Sequence, residues 1–184
     1  MIDELYLFPT SFFKINIDPD ACFNLLKEID SKRCDMKLIS GMTQSQKTDD
    51  YITDCVKPIE LIWFEKIYDQ AVKNEFKKMN IETTINEYWT AIYGPNGSHG
   101  RHVHQTSYIK NRKCNYSGVL YLSDIGDTTF FSPNHTSNFL TYNNRSRFSE
   151  MIIFPSTVVH EASYHDTFDN ERYVVAFNMS LSTL

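Results

Sequence analysis

Residues 89–122 read WTAIYGPNGSHGRHVHQTSYIKNRKCNYSGVLYL, a strand-like run, the turn GPNG (94–97), a histidine cluster and a second strand-like run, SGVLYL (117–122). His102 and His104 stand two residues apart. On an extended strand such side chains leave from one face, so both imidazoles would meet one point. Two nitrogens from one rigid element suit a metal if a third ligand arrives from elsewhere. His160, within MIIFPSTVVHEASY (151–164), is placed to supply it from a strand on a facing sheet, leaving three octahedral positions open. A strand histidine is equally an ordinary hydrogen-bonded residue, so spacing alone leaves both readings open. All six histidines fall between 99 and 165. His135 and His165 lie in turn-rich segments and read as surface residues, while His99 suits either a substrate-side group or a loop.

Outward from this stretch, residues 81–184 read as short strands at 85–93, 117–122, 128–131, 151–154, 157–162 and 172–181. Turn signals separate them: DIGD (124–127), SPN (132–134) and NN (143–144). Residues 1–80 carry helical signals after a short strand at 5–8. Asp18-Pro19 opens a helix with Cys22, Leu25, Leu26 and Ile29 on one face. A longer helix is expected over 54–79, with Pro58 near its start and Leu61, Phe64, Tyr68 and Val72 as its buried stripe. SGMTQSQKTDD (40–50) reads as loop. Helices first and many strands after predict a mainly β fold, helices packed on one face of a β-sandwich or jelly roll. With 184 residues and neither repeat nor linker, one domain over 1–184 is expected, 1–80 as helical support and 81–184 as the β core.

Arg172 opens the last strand, RYVVAFNMSL. Turned into a barrel, its planar fork would need an anion and match a carboxylate at two points. Glu171 and Asp169 are close beside it in the chain, so a bound dicarboxylate would supply the charge. An exposed strand-end arginine is the plain alternative.

Composition bounds the rest. Thirteen Phe and eleven Tyr against six Gly favour strands. A formal net charge of −5 argues against a protein that coats nucleic acid. The start, MIDELYLFPTSFF, carries acids where a signal peptide needs bases, and no apolar run suits a transmembrane helix. A cytoplasmic protein is expected. Its four cysteines, without a CxxC pair, would be free thiols. The aromatic-rich N-terminal half leaves room for a dimer surface.

Taken together, the tryptophan strand, glycine turn, HxH and SGVLYL resemble the 2-oxoglutarate- and iron(II)-dependent oxygenases, in particular a bacterial and phage subgroup. FFSPN (130–134), FPSTVVH (154–160), RYVVAFN (172–178), SGMTQS (40–45) and LFPTSFF (7–13) are similar to it as well, so the likeness spans most of the chain. It implies a double-stranded β-helix with helices packed on one sheet and 81–184 as its core, iron(II) held by His102, His104 and His160, and 2-oxoglutarate gripped by Arg172. It further implies that Trp89, Tyr93 and Tyr121 line the co-substrate pocket, with Asn178 as a further contact. The activity implied is a dioxygenase, a hydroxylase, that uses O2 and releases succinate and carbon dioxide while oxidising a peptide side chain or small molecule. His104 stands where the superfamily carries Asp or Glu, which removes one negative charge from the metal. Gln105 and Val174 stand where a proline and a carboxylate-binding serine are usual. A three-histidine, cupin-like oxygenase without 2-oxoglutarate and a non-catalytic jelly-roll binding module remain the alternatives. Lys110, Arg112 and Lys113, with Arg101, would form either a basic rim favouring an acidic peptide or nucleotide, or a solvated loop.

Overall fold

The computed structural model describes residues 2–7, 10–33, 52–56, 60–94, 97–104, 115–132, 141–162 and 170–183. The strands are β1 (Ile2–Leu7), β2 (Thr10–Asn16), β3 (Ile52–Val56), β4 (Ile81–Tyr93), β5 (His99–His102), β6 (Tyr116–Tyr121), β7 (Asp127–Phe131), β8 (Thr141–Arg145), β9 (Glu150–Pro155), β10 (His160–Ala162) and β11 (Arg172–Thr183). They form two antiparallel sheets, one ordered β1-β2-β9-β6-β11-β4-β3 and the other β5-β10-β7-β8. From β4 onward the chain winds between the two, with β4, β6, β9 and β11 in the larger and β5, β7, β8 and β10 in the smaller. This is a double-stranded β-helix, as expected.

Strand alternation explains how the large sheet is buried on both faces. Ile92, Leu120, Ile153 and Val175 point to one side, into a core with the helices. Their neighbours Ala91, Val119, Ile152 and Val174 point to the other, into the core between the sheets with Phe12, Phe130 and Phe154. The helices supply Cys22, Leu25 and Ile29 from α1 (Pro19–Ser31). Phe64 and Ile67 come from α2 (Ile62–Ile67), which continues through a π-helical turn, Tyr68–Lys73, into α3 (Asn74–Lys78). Asp18 caps α1 by accepting from the Asp20 amide at 3.3 Å. The second helix has no cap of its own. Glu28 of α1 reaches across and accepts from the Ile62 and Trp63 amides at 3.0 and 2.9 Å.

Three expectations are corrected. The longer helix begins at Ile62 rather than 54, because Ile52–Val56 pairs with the edge of β4 as a strand. Its β-branched Ile52, Thr53 and Val56 suit a pleated edge. The first eighty residues therefore also extend the large sheet by β1, β2 and β3. Asn143-Asn144 is strand, not turn: Asn144 pairs with Thr128 and donates to Glu150 Oε1 at 3.2 Å. The 157–162 strand starts only at His160, since the Val158 amide turns back onto the Pro155 carbonyl. The loop at 40–50, His135, His165 and the basic segment Lys110–Lys113 lie outside the described residues. Among those described, no helix is long and apolar enough to cross a membrane.

Candidate metal centre

β5 and β10 are neighbours in the small sheet, and their register sets His102 directly opposite His160. Opposed residues of an antiparallel pair share a face, so pairing alone brings these imidazoles together, with ring centroids 4.2 Å apart. The expectation of facing sheets is thus corrected. His104 lies beyond the end of β5, where its amide donates to the Ser156 carbonyl at 3.0 Å and turns its ring into the same space. One ligand nitrogen from each of His102, His104 and His160 falls within 4.8 Å of the others.

The hydrogen bonds fix which nitrogens these are. Nδ1 of His102 lies 2.7 Å from the Gly100 carbonyl, Nδ1 of His104 lies 2.7 Å from Asn178 Oδ1, and Nδ1 of His160 lies 3.0 Å from the Val158 carbonyl. Each partner is an acceptor, so each Nδ1 carries the proton and each Nε2 keeps its lone pair. Nε2 of His102 and Nε2 of His104 then face each other at 3.2 Å with no proton between them. Two lone pairs at that separation repel, and a cation between them relieves it. Burial, reinforced by the charge of its neighbour His102, pushes His104 down to about 4. Burial likewise lowers His102, and carries His160 well below its ordinary value. All three are neutral at pH 7, the form that ligates metal. The donor set fits a divalent cation such as iron(II).

Beside the imidazoles lies a narrow cavity of about 40 Å³, lined among others by Trp89, Tyr93, His99, Val174, Ala176 and Arg172. It exists because the middle of the inward face carries small side chains, Val119, Val174 and Ala176. Arg172 at its far end is 2% exposed. Nη1 donates to the Asp127 carbonyl at 2.9 Å and Nη2 to Thr128 Oγ1 at 3.0 Å, while Nε has no partner. Gly126, at φ +73°, makes room for it: a Cβ there would stand 3.1 Å from Arg172 Cδ. The guanidinium lies 5.4 and 5.8 Å from the ring centroids of Tyr93 and Tyr121. Among the described residues no carboxylate pairs with it. Glu171 turns away to Arg33, and Asp169 is outside the described residues.

The other expected residues divide. Trp89 and Tyr93 line the cavity, and the Trp89 ring stands 5.4 Å from that of His104. Tyr121 is one step behind the lining, donating its hydroxyl to Thr128 Oγ1 at 2.8 Å. Asn178, expected as a cofactor contact, lies instead behind His104, on the far side of the ring from Nε2. His99 stacks on His102 with centroids 3.9 Å apart. Arg101 is exposed, packed over Phe131 and paired with Glu161. Sequence reasoning missed Glu87, Ser117 and Thr128. Glu87 was within reach, since extending the alternation Tyr93, Ala91, Trp89 by one more step lands on it.

No family model matches the sequence, and no curated protein is similar to it by sequence. Solved structures are similar in fold. A prolyl-4-hydroxylase from Pseudomonas putida superposes with a TM-score of 0.63 at 14% identity, covering 92% of this chain and 92% of that one. HygX from Streptomyces hygroscopicus, solved with nickel and 2-oxoglutarate bound, gives 0.64 at 12% identity over 93% of this chain and 83% of that one. An oxidoreductase of the 2-oxoglutarate-Fe(II) oxygenase family from Burkholderia pseudomallei gives 0.51 at 14%, over 98% and 73%. The chain thus has the double-stranded β-helix fold found in the 2-oxoglutarate- and iron(II)-dependent oxygenases.

Proposed function

We propose that this protein is a 2-oxoglutarate- and iron(II)-dependent dioxygenase that hydroxylates a peptide side chain or a small molecule. The observation that carries the reading is one pocket with a lone-pair cluster at one end and a buried, anion-deficient guanidinium at the other. A cation answers the first and a carboxylate the second, and 2-oxoglutarate joins the two requirements because it can chelate a metal at one end and present a carboxylate at the other. When bound, iron(II) would supply the oxidising power together with dioxygen and 2-oxoglutarate, the last being consumed to succinate and carbon dioxide.

The chain's own residues hold and orient. His102, His104 and His160 offer Nε2, each ring fixed by an acceptor at Nδ1. Arg172 is the carboxylate grip, its fork aimed by Thr128 and the Asp127 carbonyl. Trp89 and Tyr93 wall the pocket, and Tyr121 backs Arg172. At about 40 Å³ the cavity is narrow for a five-carbon diacid, so seating one requires the surrounding side chains to open. A cytoplasmic site of action goes with this reading, because iron(II) and a free buried thiol such as Cys22 both belong in a reducing compartment.

The test is iron-dependent conversion of 2-oxoglutarate to succinate by the purified protein, with and without His160→Ala. Succinate formation is expected in the parent and absent from the variant. Undiminished conversion by His160→Ala would remove this ligand from the assignment.

A further inference from the structure

Three neutral imidazoles bring no negative charge to a divalent cation, so any carboxylate linked to them matters. One is linked. Asn178 Oδ1 accepts from His104 Nδ1 at 2.7 Å and from Ser117 Oγ at 2.8 Å, and its Nδ2 donates to Glu87 Oε1 at 2.8 Å. Strand register builds this row. Asn178 on β11 pairs with Glu87 on β4 at one side and with Ser117 on β6 at the other, and all three side chains leave from the same face.

The row has a direction. A carboxylate offers only acceptors, so Glu87 draws the amide's NH2 toward itself and turns Oδ1 toward His104. With only an acceptor before it, His104 must place its proton on Nδ1 and leave Nε2 open. Were the amide reversed, Oδ1 would face the carboxylate, and His104 would have to accept at Nδ1 and carry a proton on Nε2. That proton would occupy the site of the metal.

We infer that Glu87 is a positioning residue for the metal centre: through Asn178 it sets the tautomer of His104, and it stations behind that ring the negative charge that the three ligands lack. The inference rests on the metal-centre reading, but its main readout does not. Imidazole nitrogen chemical shifts, measured by NMR on the metal-free full chain, report the His104 tautomer directly. The parent is expected to show Nδ1–H alone. Asn178→Leu removes the acceptor, and Nε2–H should then dominate. Glu87→Gln, half-buried and nearly isosteric, leaves the fold intact and lets the Asn178 amide turn either way, so a mixture is expected.

Cobalt(II) titration of the same proteins is the second readout. Loss of an outer partner should weaken binding roughly 10- to 100-fold in Asn178→Leu, with a smaller loss in Glu87→Gln. His104 retaining pure Nδ1–H in both variants would overturn the inference, as would cobalt affinity in Glu87→Gln within about twofold of the parent. A parent that binds no cobalt would sink the metal-centre reading, while the tautomer would still decide the role of Glu87.

Discussion

A guanidinium 2% exposed with no carboxylate paired to it among the described residues carries a desolvation cost that its contacts with Thr128 and a carbonyl only partly offset. On the proposed reading this residue serves binding rather than stability. Arg172→Met should therefore melt at or above the parent temperature while losing its response to 2-oxoglutarate. In the parent, with metal present, 2-oxoglutarate should raise the melting temperature by mass action. Thermal shift measurements check both halves, and a variant that is destabilised yet still responds would assign Arg172 a structural role. Strand alternation made Arg172 and the three histidines legible as candidates, although an exposed arginine and ordinary hydrogen-bonded histidines fit the same spacing. It did not reveal that Nε2 is the atom each ring leaves open. That depends on Gly100, Val158 and Asn178, two of which act through backbone carbonyls that no residue type announces.

At the scale of strands, the inward face of the large sheet was readable by alternation. Arg172, Val174, Ala176 and Asn178 follow one another along β11, each opposite a partner on β4. What alternation leaves open is which strands become neighbours. The β5–β10 pairing, which sets His102 against His160, is a long-range choice of topology, and two ligands were expected from one strand where the second in fact lies past its end. The second helix starts later than its periodicity predicts for a similar reason, because the edge of β4 captures Ile52–Val56. Gly118 shows how tightly the faces are set. A Cβ there would lie 2.1 Å from Phe177 Cζ on the adjoining strand, so Gly118→Ala should destabilise the fold by about 1–3 kcal/mol. Phe177→Leu should recover part of that loss in the double variant, giving a favourable coupling in a urea-denaturation cycle. Strict additivity would place the strain elsewhere.

For the whole molecule, the buried imidazoles make stability depend on pH. An unfolded imidazole takes up its proton near 6.5, whereas folded His104 resists down to about 4. Between those values the unfolded chain binds more protons, so stability is fully present above pH 6.5 and is lost as acid is added. From pH 7 to 5, His104 alone should account for about 2 kcal/mol of that loss, and His102 and His160 add to it in the same direction. Urea unfolding of metal-free protein at the two pH values, against His104→Asn, measures this share. Identical pH dependence in the two would contradict it. A single transition by more than one probe is expected if the two sheets and the helices on the larger one unfold as one domain. Divalent metal should flatten the acid side down to the pH at which protons displace it. The most direct test of the oxygenase reading remains anaerobic addition of iron(II), then 2-oxoglutarate, to the metal-free protein. A visible metal-to-ligand charge-transfer band is expected on the second addition, absent from His102→Ala and Arg172→Ala. Bound iron with no band would contradict the reading and point to a three-histidine centre that works without 2-oxoglutarate.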